Sequence, residues 1–453
     1  MQLTRELFVL PQERDFILYA PLDNTALKVS SGVIDILRKI RDRKACTEQE
    51  QALVECLKRS GIIKDKTEEP SSLDCKLKGG NGEIYSPTYA TLIPTYNCNL
   101  RCVYCYSNGG ESPTKIMEFN VAKSAINLAI ENAKRLETGE TGLEFHGGGE
   151  PFLPANMELI KRSLDYFRKN AEKSGLKYTV GSVTNGVMNQ KDLEWIVQTF
   201  SHLNISLDGP EDIQNSQRPK PRNLPSYEDV MRTITYLEGK KFKYGIRATI
   251  TAESVDRMPE IIEFFHSIST SDSFHVEPLF ECGRCKTTNA KAPEPQTFLK
   301  RFLEARETAK KLGIKIYYSG ARINCLSTSF CGASGENFFV NPNGNVITCP
   351  ETSRETDPDF SMFHIGSYDS STQSFRFHQD KIRLLKSRTI DNIPHCSNCF
   401  AKYNCSGDCP AKSYSQSRNL FDTSSNPRCL INRELLKQEI YERLEKPTEV
   451  QKP

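Results

Sequence analysis

Hydrophobic and polar positions change rhythm three times along this chain. Near the N-terminus the apolar runs LFVL (7–10), FILYA (16–20) and LKVS (27–30) are short and separated by turn residues, which predicts strands. Val33, Ile36, Leu37 and Ile40 then recur at helical spacing. A second helix is predicted to start at TEQE, with Thr47 as N-cap and Glu50 closing a capping box. Short strands followed by two helices predict a winged-helix-like α+β module over residues 1–66, and the polar, Gly- and Ser-rich stretch 67–88 reads as a linker. From Tyr89 the rhythm alternates: YATLIPT, GLEFH, YTVGSV, LNISL, GIRATI and FHVEP are β-like, with helical patterns near 118–136, 155–173, 191–200, 226–239 and 257–267. This α/β series predicts a parallel sheet curled into a partial (β/α)6 TIM-like barrel over 89–319, with chemistry at the C-terminal ends of its strands. Alternation then stops. Residues 320–430 are turn-rich and dense in cysteine, and 431–453 reads as a helix and tail.

Composition narrows the chemistry. Lys and Arg number 60 against 57 Asp and Glu, for a net charge of +3, which offers no field to attract nucleic acid or an anionic membrane. Residues 1–66 hold 12 basic against 10 acidic side chains, too balanced for duplex binding. The N-terminus lacks an apolar signal region and no apolar run approaches membrane length, so a cytoplasmic, reducing location is expected. There, 16 cysteines read as metal or redox ligands rather than cross-links.

Three of them, Cys98, Cys102 and Cys105, are spaced C-x3-C-x2-C in the loop after the first barrel strand. Three thiolates can cap three corners of a [4Fe-4S] cluster and leave one iron open to a chelating molecule, whereas a structural zinc site needs a fourth ligand. After the second strand comes FHGGGEP, in which Gly147, Gly148 and Gly149 allow close approach of backbone to a ligand and Glu150 can accept from an ammonium group. The third strand ends in TNG with Asn185, and the fourth in ISLDGP with Ser206 and Asp208. The fifth carries Arg247, which inside a barrel requires an anion.

CNLRCVYC, with Tyr104 before its last cysteine, resembles the CxxxCxxC signature of the radical S-adenosylmethionine (SAM) enzymes, and GGGEP resembles their GGEP motif. The resemblance implies that the open iron chelates SAM and that reductive cleavage yields a 5'-deoxyadenosyl radical. It implies a SAM site built from Tyr104, Gly147, Gly148, Gly149, Glu150, Asn185, Ser206 and Arg247, with Asp208 and Arg218 as catalytic candidates and a flavodoxin- or ferredoxin-type protein as reductant. Where sulfatase maturases carry a His-Asp pair, this chain has Gln214 and Asn215, neither of which can act as a general base.

The later cysteines run Cys331, Cys349, then C-x2-C-x5-C-x3-C at Cys396, Cys399, Cys405 and Cys409, and finally Cys429, with Cys325 upstream as an eighth. This resembles the SPASM extension of peptide-modifying radical SAM enzymes, which implies two auxiliary [4Fe-4S] clusters. Cys325, Cys331, Cys349 and Cys409 would hold the inner one, and Cys396, Cys399, Cys405 and Cys429 the outer. A zinc ribbon is the alternative, and without Cys325 the inner cluster would have an open iron. Cys282 and Cys285 read as a thiol pair near the radical site, Cys56 as core beside Leu53 and Leu57, and Cys46 and Cys75 as peripheral. The N-terminal module resembles the precursor-recognition element of peptide maturases, which captures a leader peptide as an added strand. The expected protein is a radical SAM/SPASM peptide maturase that forms a thioether or C–C cross-link. The rivals are a formylglycine-forming sulfatase maturase and a non-catalytic iron-sulfur electron-transfer protein.

Overall fold

The structure is a computed structural model describing residues 1–64, 84–111 and 115–445, so most of the expected linker, with Cys75, lies outside the described residues. Seven parallel strands run in chain order: Tyr89–Leu92, Glu140–Phe145, Lys177–Thr184, His202–Ser206, Tyr244–Ile250, Ser273–Pro278 and Lys315–Tyr317. All six expected strands are present. The seventh is only three residues long, too short for periodicity to reveal, and follows the helix Pro295–Lys311.

The sheet does not close on itself. The free edge of the first strand instead pairs in parallel with Phe339–Val340, in the register Phe339↔Thr91 and Val340↔Leu92. Antiparallel strands Asn345–Ile347, His364–Asp369 and Ser374–Phe377 extend the same sheet to eleven strands. The cysteine-rich region is therefore hydrogen-bonded to the barrel. Helix Phe119–Arg135 buries Ala122, Ala125, Ala129 and Ala133 at i, i+3/i+4 spacing, and these small side chains let it lie close to the first strands. Its neighbour Met157–Lys173 buries Ile160, Leu164 and Phe167. One core continues from these residues into Cys349, Phe363, Ile382 and Leu435. Each fully buried Leu, Ile or Phe there contributes about 1.5–3 kcal/mol.

The N-terminal sheet holds Phe8–Gln12, Asp15–Ala20 and Thr25–Val29 in antiparallel order, backed by helices Ser31–Arg41 and Glu48–Arg59. The Thr47 N–H donates to the Glu50 carboxylate at 2.8 Å, as the capping box requires. Leu18 and Ala20 pack against the module's own helices. Ile17 and Tyr19 pack instead against Phe400, Ala401, Cys405, Leu436 and Ile440. Burial on both faces explains why FILYA is a continuous apolar run rather than an alternation. The Tyr19 hydroxyl donates to Asn404 Oδ1 at 2.8 Å and Lys402 pairs with Glu6 at 2.7 Å, so the module is docked on the C-terminal region.

Cys56 departs from expectation. It is exposed, as is Leu53, because the buried stripe of its helix runs through Val54 and Leu57, one position out of register with Cys56. The last helix, Arg428–Glu445, begins earlier than expected and takes Cys429 into its first turn. Among the described residues no helix is long and apolar enough to cross a membrane.

Candidate functional site

A cavity of about 440 Å³ opens at the C-terminal ends of the parallel strands. That lies within the ~300–1,000 Å³ typical of small-molecule sites. Cys98, Cys102 and Cys105 line it together with Tyr104, Gly147, Gly148, Gly149, Glu150, Asn185, Ser206, Arg218 and Arg247. Every residue expected to touch SAM thus faces one space. Asp208 does not.

The cysteine loop has almost no regular structure, so side chains must hold its shape. Arg101 donates from Nη1 to the carbonyls of Cys98 (2.8 Å) and Leu100 (2.9 Å), and from Nη2 to Gly110 (3.0 Å). From the far side Arg284, buried, donates to the carbonyls of Cys102 and Gly109, both at 2.8 Å, and to Glu111 at 2.6 Å. Gly283 has φ +53°, and a Cβ there would meet the Cys105 carbonyl at 2.3 Å. The FECGRC segment therefore closes over the loop as a clamp. Its cysteines alone stand out in the sequence; an arginine and a glycine between two thiols at a strand's C-terminal end was the available signal. Cys282 lines the cavity, and Cys285 is buried behind it with Tyr104 and Leu279.

Local geometry decides whether these residues fit a three-thiolate cluster. Leu100 N–H and Gly109 N–H point at the sulfurs of Cys98 (3.4 Å) and Cys105 (3.3 Å). A Cβ on Gly109 would stand 3.2 Å from Cys98 Cβ, so a side chain would fill the cradle between the cysteines. Burial and the neighbouring thiols push Cys98 and Cys102 up, a penalty that metal ligation removes by taking the proton. Among the described residues no three His, Cys, Asp or Glu side chains gather around a single ion. A cubane takes one thiolate per iron, so its ligands need not converge. The residues fit.

The glycine turn is packed against the root of that loop. A Cβ on Gly149 would lie 1.9 Å from the Asn97 carbonyl, and one on Gly148 2.6 Å from the Tyr96 ring. Glu150 is buried; its Oε1 accepts from Thr184 Oγ1 (2.8 Å) and Phe152 N–H (3.1 Å), and its Oε2 from Asn185 N–H (2.8 Å). Burial outweighs these donors and pushes the carboxyl up to about 7. A cationic partner in the cavity would bring it down again. Asn185 donates to Asn99 Oδ1 at 2.7 Å, tying the third strand end to the cysteine loop.

Asp208 is fully buried behind the wall. Its carboxylate accepts from the Tyr104 hydroxyl, Gln217 Nε2 (2.7 Å) and Thr249 N–H (3.0 Å), and pairs with Arg218 Nε at 3.0 Å. With both oxygens engaged it positions Tyr104 and Arg218 and presents no free oxygen to a substrate. Gln214 accepts from Asp208 N–H at 3.0 Å, and Asn215 accepts from Ser226 N–H at 2.8 Å and Tyr227 N–H at 2.9 Å. The two amides found in place of a His-Asp pair thus brace the turn and the start of the next helix.

In the C-terminal region Cys396, Cys399, Cys405 and Cys429 line one further cavity of about 180 Å³. Asn432 Nδ2 donates to Cys405 Sγ at 3.1 Å. Cys331, Cys349 and Cys409 form a second group, in which burial, the Glu351 carboxylate and the neighbouring thiols push Cys349 well up. Cys325 stands exposed after the turn at Arg322. Arg428 pairs with Glu277 of the sixth barrel strand at 3.1 Å and with Asp408 at 3.0 Å, both buried, and so links barrel to cysteine groups. Burial raises the Glu277 carboxyl, but Arg428 and His275 outweigh it and hold it well below the usual range.

The family model described as the Radical SAM superfamily matches residues 92–265. A cysteine-type anaerobic sulfatase-maturating enzyme of Clostridium perfringens is 23% identical over 69% of this chain and 85% of its own length. The mycofactocin maturase MftC of Mycolicibacterium smegmatis is 23% identical over 73% and 79%. Among solved structures, native anSMEcpe with bound AdoMet superposes with a TM-score of 0.58 at 19% identity, covering 79% of this chain and 98% of that one. Streptococcus suis SuiB bound to S-adenosylmethionine gives 0.52 at 13% identity, over 94% and 99%.

Proposed function

With residues 92–265 a radical SAM domain and the chain accordingly a radical SAM enzyme, we propose that it matures a ribosomally made precursor peptide by an intramolecular thioether or C–C cross-link. The observation that carries this reading is the convergence of three loop thiols, the GGGE turn and Arg247 on one cavity, in a chain that also carries a sheet module with unpaired outer edges docked on its C-terminal region. When bound, the cluster and SAM supply a 5'-deoxyadenosyl radical that removes a hydrogen atom from the peptide. Arg101 and Arg284 hold the cysteine loop in ligating shape. Glu150 faces the cavity as the acceptor for SAM's amino group, Ser206 and Arg247 as partners for its carboxylate, and Asn185 for its ribose. Tyr104 and Arg218 are fixed by Asp208. The two later cysteine groups would hold auxiliary clusters that take up the electron left after bond formation.

Thr25–Val29 is the edge strand offered to a leader peptide. Its N–H groups alternate in direction, so of Leu27→Pro and Lys28→Pro one removes an outward donor and the other a donor to the neighbouring strand. The test is anaerobic turnover with a candidate precursor, taken from any short open reading frame found beside the gene. The wild type should release 5'-deoxyadenosine and give a cross-linked product, and the outward-donor variant should lose precursor binding while retaining SAM cleavage. A product aldehyde captured by a hydrazide reagent would replace cross-linking with formylglycine formation. SAM cleavage without any change in peptide would refute the maturase reading.

A further inference from the structure

Arg388 is the largest fully buried side chain among the described residues, and it has no carboxylate of its own. Its guanidinium donates to three backbone carbonyls, Leu420 (2.7 Å from Nε), Asp408 (3.0 Å from Nη1) and Gly407 (2.9 Å from Nη2), and to Ser413 Oγ at 3.3 Å. All four acceptors are neutral. The nearby Asp408 carboxylate is taken by Arg428 at 3.0 Å and Asn426 at 2.9 Å. A buried charge is strongly disfavoured unless it is compensated, and a carboxylate already paired with Arg428 compensates Arg388 only in part.

Its position lies between the two cysteine groups. Two of the three carbonyls it grips belong to Ser406–Gly407–Asp408, the segment joining Cys405 of the outer group to Cys409 of the inner group. All three residues have positive φ, at 56°, 74° and 54°. Successive left-handed residues persist only where their surroundings enforce them, and the guanidinium fork is that enforcement. Burial lowers the Arg388 pKa, and Cys409, the Asp408 carboxylate, Cys396 and Cys331 act in the opposite sense, so thiols of both groups lie within its field.

We propose that Arg388 is the shared counter-ion of the two auxiliary iron-sulfur clusters, raising the reduction potentials of both and fixing the loop between them. The inference rests on the reading that both cysteine groups hold clusters. Cluster potentials follow net charge and local charges, and a fixed cation stabilises the more negative, reduced form.

The experiment is a redox titration, followed by electron paramagnetic resonance, of anaerobically reconstituted wild type, Arg388→Lys and Arg388→Gln. Removing the charge should lower the reduction equilibrium of the auxiliary clusters at least tenfold, about 59 mV for one electron, without shifting the SAM-binding cluster. Arg388→Lys, which keeps the charge, should stay within about threefold of wild type, or about 28 mV. Unshifted potentials in Arg388→Gln, or an equal shift in both variants, would overturn the inference. Should Arg388→Gln fail to take up auxiliary iron, loading of Arg388→Lys with near-native potentials supports the counter-ion role. Failure of both variants overturns it and leaves Arg388 a packing clamp. Wild-type iron near 4 per chain instead of about 12 would refute the auxiliary clusters themselves, and the inference with them.

Discussion

Replacing Glu150 with glutamine separates the cost of burying a carboxylate from its use. Burial raises this carboxyl from 4.5 to about 7, which at about 1.4 kcal/mol per unit amounts to roughly 3 kcal/mol held against the ionised form in the empty protein. The folded state keeps its proton over a range in which the unfolded chain has lost it. The contribution is therefore fully present below pH 4.5 and is lost as pH rises through about 7. Wild-type iron-free protein should lose about 3 kcal/mol of stability across that window relative to Glu150→Gln, which has no group to titrate there. The amide carries a separate, pH-independent penalty, because its NH₂ meets the Asn185 N–H that Oε2 now accepts. Leaving that donor unsatisfied costs about 1–3 kcal/mol. The slope difference is thus the readout, measured by urea unfolding of both iron-free proteins between pH 5 and 8. In the reconstituted enzyme the same variant should bind SAM at least about tenfold more weakly, a difference of about 1.4 kcal/mol or more. Parallel pH slopes for the two iron-free proteins would refute the assignment of a desolvated, cation-seeking carboxylate.

Changing Cys98, Cys102 and Cys105 together to alanine should remove about 4 of about 12 irons and abolish 5'-deoxyadenosine release under a strong reductant; equal release from both proteins would refute the site. Arg284→Met leaves the Gly109 carbonyl without its donor and the Cys102 carbonyl with only the Cys105 N–H, costing about 1–3 kcal/mol for the orphaned buried group, which a lowered urea midpoint of the iron-free protein would show. Deleting residues 1–63 should remove outer-site iron as well as precursor binding, because it uncovers Phe400, Leu436 and Ile440 beside Cys405; iron analysis that finds the full load would refute that coupling.

The parts of this protein whose physics is local were legible in the chain alone. Six β–α units were legible because side-chain period distinguishes strand from helix, and the C-x3-C-x2-C loop and GGGE turn because ligand chemistry demands those residue types at close spacing. The grouping of Cys396, Cys399, Cys405 and Cys429 likewise followed from their resemblance to a known pattern, and the structure places all four around one cavity. Tertiary structure decided what depends on distant segments. That Phe339–Val340 extends the barrel sheet, that FILYA is buried on both faces, and that Arg284 closes the cysteine loop from 182 residues away are outcomes of packing among segments far apart in the chain. Asp208 shows the same division: its place at a strand end made it a catalytic candidate, but its four partners, drawn from three other segments, leave it no free oxygen. Local periodicity and spacing carry no information about which far segment satisfies a buried group, because that is settled only when the whole core closes and every desolvated charge must find its partner.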